Sequence, residues 1–502
     1  MKKILAIFIL VIAAVACTED FDEMNIDPKN ASSNVPATTL LSNGQKNLAD
    51  VVTSTNVNLN VFRLLSQYWT ETTYTDESRY DLSTRNIPQN FWNVLYRDVL
   101  RDLREARNLT NANADIDEGV KGQQLAIIEI TEIYAWMVLV NTYGDVPYTE
   151  ALDIENVIPK YDDDAAIYND LLVRIDNALT ALNTEVEGGA GADELAAADL
   201  IYGGDIEKWI KFGNSLKLKL GMTIADVDPG KARTVVEAAA ADPEKLISSN
   251  EDNAAFQYLN TPPNTNPIWV DLVQSGRRDY VAANTIVNEM NRLEDPRREA
   301  YFTTVALAAD DPATPDVDET VPRYVGGIYG RSNSYSRFSK PDEQIASPTF
   351  EGLLMDYSEV EFFLAEAVER GFAVGGTAEE HYNAAIRASM EYWGVEDEAV
   401  INNYLSQPEV AYTSPASGAD FREKIGTQKW IALYNRGTEG WTEWRRLDAP
   451  DLVPPANAVL PEIPVRFPYP VQEQNLNTAN YQAASGAIGG DVTTSKVFWD
   501  VR

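Results

Sequence analysis

The densest apolar pattern in the chain runs through residues 123–143. Ile127, Ile130, Tyr134, Met137 and Val138 recur at helical spacing, and Ile128, Ile133, Trp136, Leu139 and Val140 fill most of the remaining positions. A helix apolar on nearly every face is one that other elements surround. Glu129 and Glu132 interrupt it, so its uncharged run stays far below the ~20 residues of a membrane span. Gly144 ends the helix and Pro147 cannot continue it, which predicts a fixed turn through residues 143–148, YGDVPY.

Other periodic segments flank this one. Residues from Ala37 to Trp69 predict a first long helical stretch, and Asn90 to Leu109 a second, with Phe91, Val94, Leu95, Leu103 and Leu109 facing inward. Residues 162–182 read as an amphipathic helix with acids in its first turn, 205–225 as a further helix, and 229–241 as its short partner. Between Ser248 and Pro348, Gly, Pro and Asn increase and the helical period is lost, except over 281–302. Short strands are expected there at FQYL (256–259) and RYVGGIY (323–329). Helices resume at Phe350. The fold class is therefore mainly α. A helical scaffold (36–247) and a C-terminal helical block with its tail (349–502) are separated by a loop-rich insertion (248–348) holding a few short strands.

Composition changes the picture mainly through charge. The chain has 502 residues, with 77 acidic against 41 basic, a net charge of −36. Such a field repels phosphate backbones, so nucleic acid is not an expected partner. One Cys and one His exclude a Cys/His zinc site. A Ser–His–Asp triad would have to recruit His381, which reads as a solvated helical position. Met1 to Cys17 has the form of a targeting segment: Lys2 and Lys3, an apolar run from Ile4 to Val15, and small residues before the Cys. Cys17 resembles the lipid acceptor of a bacterial lipoprotein, although Ala14 stands where such signals usually carry Leu; an ordinary signal peptide is the alternative. A polar tether, 18–35, follows.

Several stretches together carry a family resemblance. They are NTYGDVPY (141–148) after the buried helix, KW and NSLKLKL (208–220), LAEAVERG (364–371), YNAAIRASMEYWGV (382–395) and IGTQKWIALYNRGTEGWTEWRR (425–446). PVRFPYPVQEQNLNTANY (464–481) and KVFWD (496–500) complete the set. In combination they resemble the SusD/RagB family of surface nutrient-binding lipoproteins. The resemblance implies a tetratricopeptide-like helical-repeat scaffold, a lipid anchor on Cys17 at the outer membrane, and a glycan ligand. It also implies a TonB-dependent, SusC-like transporter barrel as partner, no catalysis and no cofactor. The acidic TEDFDE after Cys17 is similar to the surface-export signal of such lipoproteins. RagB-like members take peptide instead, and that alternative stays open.

Sugars offer C–H faces edged by hydroxyls, so a glycan site needs loop aromatics beside polar donors. Trp136, Trp209, Trp430, Trp441 and Trp444 sit at helical spacing and are expected in the core. The tract 320–340, TVPRYVGGIYGRSNSYSRFSK, is the leading loop candidate, with Tyr324, Tyr329, Tyr335, Arg331 and Lys340 and no acid. It could meet a glycan bearing carboxylate or sulfate, or fold as a hairpin whose aromatics pack inward. Trp269, with Tyr280 nearby, is the second candidate, and the loop holding Tyr74 and Tyr80 is the third. Asp310, Asp311, Asp316 and Asp318 could hold calcium through hard oxygens, although a solvated acidic loop is the alternative. A carboxylate-dependent glycoside hydrolase remains the enzymatic alternative, because with so many acids counting alone does not dismiss a catalytic pair.

Overall fold

The computed structural model describes residues 35–186, 192–305 and 323–502. Its longer helices are α1 (Ala37–Thr53), α2 (Arg101–Ala112), α3 (Glu118–Tyr143), α4 (Asp164–Leu182), α5 (Ile206–Thr223) and α6 (Pro229–Ala239). The C-terminal ones are α7 (Tyr357–Glu369), α8 (Ala378–Tyr392), α9 (Phe421–Ala432) and α10 (Gly437–Leu447). The central helix α3 starts where the Asp117 side chain accepts from the amides of Gly119 and Val120. It stops at Gly144, whose φ of +76° and ψ of −125° suit a residue without Cβ. Nearly all of it from Ala126 on is buried. By length and composition it could cross a membrane, but the protein's own helices enclose it. Glu129 and Glu132, which break its apolar run, are paired with Arg107 and Arg174; the Arg174–Glu132 contact is 2.8 Å and the Arg107–Glu129 contact 2.9 Å.

Successive helices pack in pairs, α3 on α4, α5 on α6 and α7 on α8, and α5 also touches α4 and α7. The first predicted stretch is shorter than its pattern suggests. Helix α1 ends at Thr53, and Trp69 belongs to a strand. The cause lies in the Asn-rich segment after Thr53. Asn60 Nδ2 donates to the Val51 and Val52 carbonyls while its Oδ1 accepts from the Phe62 amide, and Asn56 Oδ1 accepts from the Asn58 amide. These side chains give the backbone partners that a continuing helix would otherwise supply.

Two short antiparallel pairs tie the loop-rich region to the helical blocks. Strand β1 (Trp69–Glu71) pairs with β3 (Tyr280–Ala282), Trp69 opposite Ala282. Strand β2 (Ala254–Phe256) pairs with β4 (Gly352–Met355). FQYL contributes only Phe256. RYVGGIY forms isolated bridges, at Arg323 with Val305 and at Gly327 with Ala283, instead of a strand. Its backbone is pressed against Asn284, and a Cβ at Gly326 would lie 2.4 Å from the Asn284 Cα.

The helical body encloses a lattice of buried ion pairs. Lys219 on α5 meets Glu359 on α7 at 2.9 Å and also Glu439 on α10; Arg436 meets Glu359 at 2.6 Å. Lys429 on α9 meets Glu443 on α10 at 2.7 Å. Arg446 bridges Glu443 at 2.7 Å and Glu366 on α7, which also takes Arg370 at 2.8 Å. Burial opposes ionisation of Glu366 and Glu443, yet Arg446, with Arg370 or Lys429, holds both carboxyls below the ordinary range. The segments that carry the family resemblance, 214–220, 364–371 and 425–446, supply most of these side chains.

Strand β1 ends on Glu71, a buried acid that lies beside the buried Glu77 of the following turn. Glu71 Oε2 accepts from the Ser78 amide at 2.9 Å and from its hydroxyl at 2.7 Å, and Glu77 is paired with Arg85. Burial first, then the neighbouring Glu77, pushes the Glu71 carboxyl up to about 9.

Two stability outcomes follow. Glu366→Ala takes one of its two carboxylates from the buried Arg446, leaves the half-buried Arg370 to Asp226 alone, and should cost about 3–5 kcal/mol in urea unfolding; an unchanged midpoint would show that the pairs add nothing. The folded state keeps a proton on Glu71 that the unfolded chain releases above its usual pKa of about 4.3. That contribution is complete below the unfolded value and is lost as pH climbs through about 9. Glu71→Gln, which keeps the shape and a donor, should raise the thermal midpoint at pH 9 and leave it unchanged at pH 4. Parallel pH profiles for the two proteins would refute the raised carboxyl.

Candidate functional site

The β1–β3 pair continues beyond its last ladder position and gathers three loops. The Thr72 amide donates to the Asp279 carbonyl, and its hydroxyl donates to the Arg278 carbonyl at 2.6 Å. The Thr72 carbonyl in turn accepts from the Asn333 amide at 2.8 Å and from the Ser332 hydroxyl at 2.7 Å. Asn333 is buried and acts as the rivet. Its Nδ2 donates to the carbonyls of Glu71, Ile328 and Arg331, and its Oδ1 accepts from the Ile328 amide. Gly327 makes room for it, since a Cβ there would sit 3.0 Å from the Asn333 side chain and 2.6 Å from Val281 Cγ2.

Tyr74 and Tyr335 each follow this junction by two residues. Tyr74 is 66% exposed. Tyr335 is half-buried, with the Arg278 guanidinium 5.5 Å and the Lys340 ammonium 5.3 Å from its ring centre. Burial holds the Lys340 amine below its usual value. Arg331 is exposed on the same loop. Trp269 is half-buried on the turn Pro267–Trp269, which Asn266 caps by accepting from the Ile268 amide. The next segment exposes Val270 and Val273, and Asp271 accepts from the Thr55 hydroxyl at 3.2 Å, fixing it to the end of α1. Tyr74, Tyr335 and Arg278 therefore stand on loops whose backbones are bonded to one another, and the Trp269 segment is fixed separately, through Asn266 to Pro348 and through Asp271 to Thr55.

Three of the expected site aromatics are structural instead. Tyr80, Tyr280 and Tyr329 are 1%, 5% and 6% exposed. The Tyr329 hydroxyl donates to the Leu64 carbonyl and the Tyr280 hydroxyl to the Thr55 carbonyl, each at 2.6 Å. Tyr80 packs against Tyr329 with ring centres 6.4 Å apart. Each hydroxyl that reaches a buried carbonyl commits its ring to the interior. Tyr324 is half-buried, 6.4 Å from the Phe302 ring and 5.6 Å from the Arg298 guanidinium. Arg278 and Asn333 were not expected at the site. An Asn in a Ser-rich loop gives no sign of its role, and only the GRRDY run before β3 hinted at Arg278. Of the tryptophans expected in the core, Trp136, Trp209, Trp430 and Trp441 are buried and Trp444 is half-buried.

His381 is half-buried rather than solvated, with Nδ1 2.6 Å from Glu361. Burial opposes its charge, and Glu361 outweighs that and raises it. Cys17, Asp310, Asp311, Asp316 and Asp318 lie outside the described residues. A different acidic group, Asp145, Asp163 and Asp164, brings one carboxylate oxygen from each within 4.8 Å of the others. These oxygens already serve the start of α4. Asp163 accepts from the Ala166 amide, Asp145 from the Asp164 amide, and Asp164 from the Phe498 amide. Elsewhere, an apolar groove of about 400 Å³ is lined by Leu82, Pro88, Val459, Leu460 and Val471.

A family model described as "Starch-binding associating with outer membrane" matches residues 28–470. No curated protein matches the chain. Among solved structures, a chitin-binding protein is 25% identical with a TM-score of 0.78, covering 93% of this chain and 100% of the other. A SusD homologue from Bacteroides uniformis is 27% identical with a TM-score of 0.73, over 92% and 99%. A chitin-binding SusD homologue from Flavobacterium johnsoniae, 23% identical with a TM-score of 0.76 over 92% and 99%, shares the fold. With a family match over most of its length and the same helical body in these structures, the chain belongs to the SusD-like family.

Proposed function

We propose that the protein is a non-catalytic receptor that captures oligosaccharide on the face formed by Tyr74, Tyr335 and the Trp269 segment. The observation that carries this reading is the joining of three loops at Thr72 and Asn333, which presents aromatic rings and cations together. The family's starch-binding description and the chitin-binding names of two similar structures support a glycan as ligand.

In this reading Cys17 carries lipid that holds the protein on the outer-membrane surface, with two or three acyl chains for a stable anchor. The bound glycan passes to a TonB-dependent, SusC-like barrel. Weak stacking suffices for this, because a receptor held over a pore keeps its ligand at high effective concentration. Calcium at Asp310, Asp311, Asp316 and Asp318 is a separate proposal, checked by whether added calcium raises the thermal midpoint. A peptide ligand is the second reading, and the apolar groove beside Leu82 and Val459 favours it, since aliphatic side chains would fill it.

Tyr74→Ala and Trp269→Ala should each weaken binding of the cognate glycan several-fold in calorimetry, since a ring stack contributes about 0.5–1.5 kcal/mol. Both should leave the thermal midpoint in place, whereas Tyr329→Ala should lower it. Release of reducing ends from the bound glycan, or unchanged affinity in both the Tyr74 and the Trp269 variant, would sink the proposal.

A further inference from the structure

We propose that the sugar held at this face is acidic, with its carboxylate or sulfate taken by Arg278 and Lys340 beside the Tyr335 ring. This rests on the glycan reading and narrows it to a chemical class. The chain carries 77 acidic residues against 41 basic, so a cation without an acid beside it is uncommon. Arg277, next in the chain, is paired with Asp279 at 2.8 Å, as Arg292 elsewhere in the fold is with Glu289 at 2.6 Å. Arg278 and Lys340 differ from these. Among the described residues neither has a carboxylate partner, and what they share is the ring of Tyr335, 5.5 and 5.3 Å away. The Thr72 hydroxyl fixes the backbone at Arg278, and the Thr303 hydroxyl accepts from the Lys340 amide at 3.0 Å, so both cations stand on anchored backbone.

Two cations without acids at one aromatic ring do little for folding. The contacts are useful to a ligand that combines a C–H face with a planar or tetrahedral anion. The ring covers the sugar face, the guanidinium fork matches two oxygens of the acid group, and the ammonium adds a point charge. Burial without a counter-charge already disfavours the charged form of Lys340, and an incoming anion would supply that charge. Arg331 is exposed on the same loop. The overall field of a −36 chain repels polyanions, so retention of one would report a local site and not general attraction.

The test uses affinity electrophoresis of the full mature protein in four polymers: polygalacturonate, its highly methyl-esterified form, dextran sulfate and dextran. At least one acidic polymer should be retained about tenfold more strongly than its neutral counterpart, and the one retained tells carboxylate from sulfate. Raising NaCl from about 50 to about 500 mM should weaken that retention. The Arg278→Gln/Lys340→Gln double variant should lose about tenfold on the acidic polymer while keeping its thermal midpoint. Equal or stronger retention by the neutral polymers, unchanged by the double variant, would overturn the acidic ligand and leave the glycan face standing. No retention of either acidic polymer would overturn it too. Failure of the face itself would appear separately, as a glycan affinity indifferent to Tyr74→Ala and Trp269→Ala.

Discussion

Removing a charge from water is permitted only if a partner and further hydrogen bonds replace the lost hydration. That constraint governs this protein's interior. Lys219, Lys429, Arg436 and Arg446 lie inside the helical body, and each meets at least one acid drawn from a different helix or turn. An apolar core tolerates small slips between helices, because one methyl is much like another. A lattice of charges does not, since a slip of one helical turn strands an ion. The crossing of α5, α7, α9 and α10 is therefore specified by ion geometry as much as by volume.

That rigidity is what the loop face borrows. Loops are mobile unless their backbone groups are tied down. Here Thr72 and Asn333 satisfy the backbone of three loops at one junction, and β1 and β3 anchor that junction to the body. Rings on these loops would lose little freedom on meeting a ligand, because their supports are already ordered. In the proposed reading capture is a property of placement: the helices decide where Tyr74 and Tyr335 stand.

The helical part of this arrangement was legible because helices write their period into the chain. An α3 apolar on nearly every face and ending at Gly144, and an α4 whose cap, Asp163, falls one residue inside the expected start at 162, are close to what residue order implies. The break after Thr53 was not legible, since Asn side chains acting on nearby carbonyls leave no periodic trace. The buried charges were also hidden. Glu366 and Arg446 resemble solvated helix residues until helices far apart in sequence meet. In loops the difficulty is sharper still. Whether Tyr329 or Tyr335 faces outward depends on which carbonyl lies within reach, and Leu64 supplies one for the former. The tract was identified, but the direction of each ring was not.

The far end of the sequence closes over the centre of the molecule. The Trp499 indole donates to Asn141 on α3 at 3.0 Å, and the Phe498 amide caps Asp164 at 2.9 Å. A polypeptide made or threaded from its amino end exposes its greasiest helix long before these residues arrive to cover it. Final closure thus waits for the emergence of the tail, and until then the unfinished chain must be shielded from its neighbours.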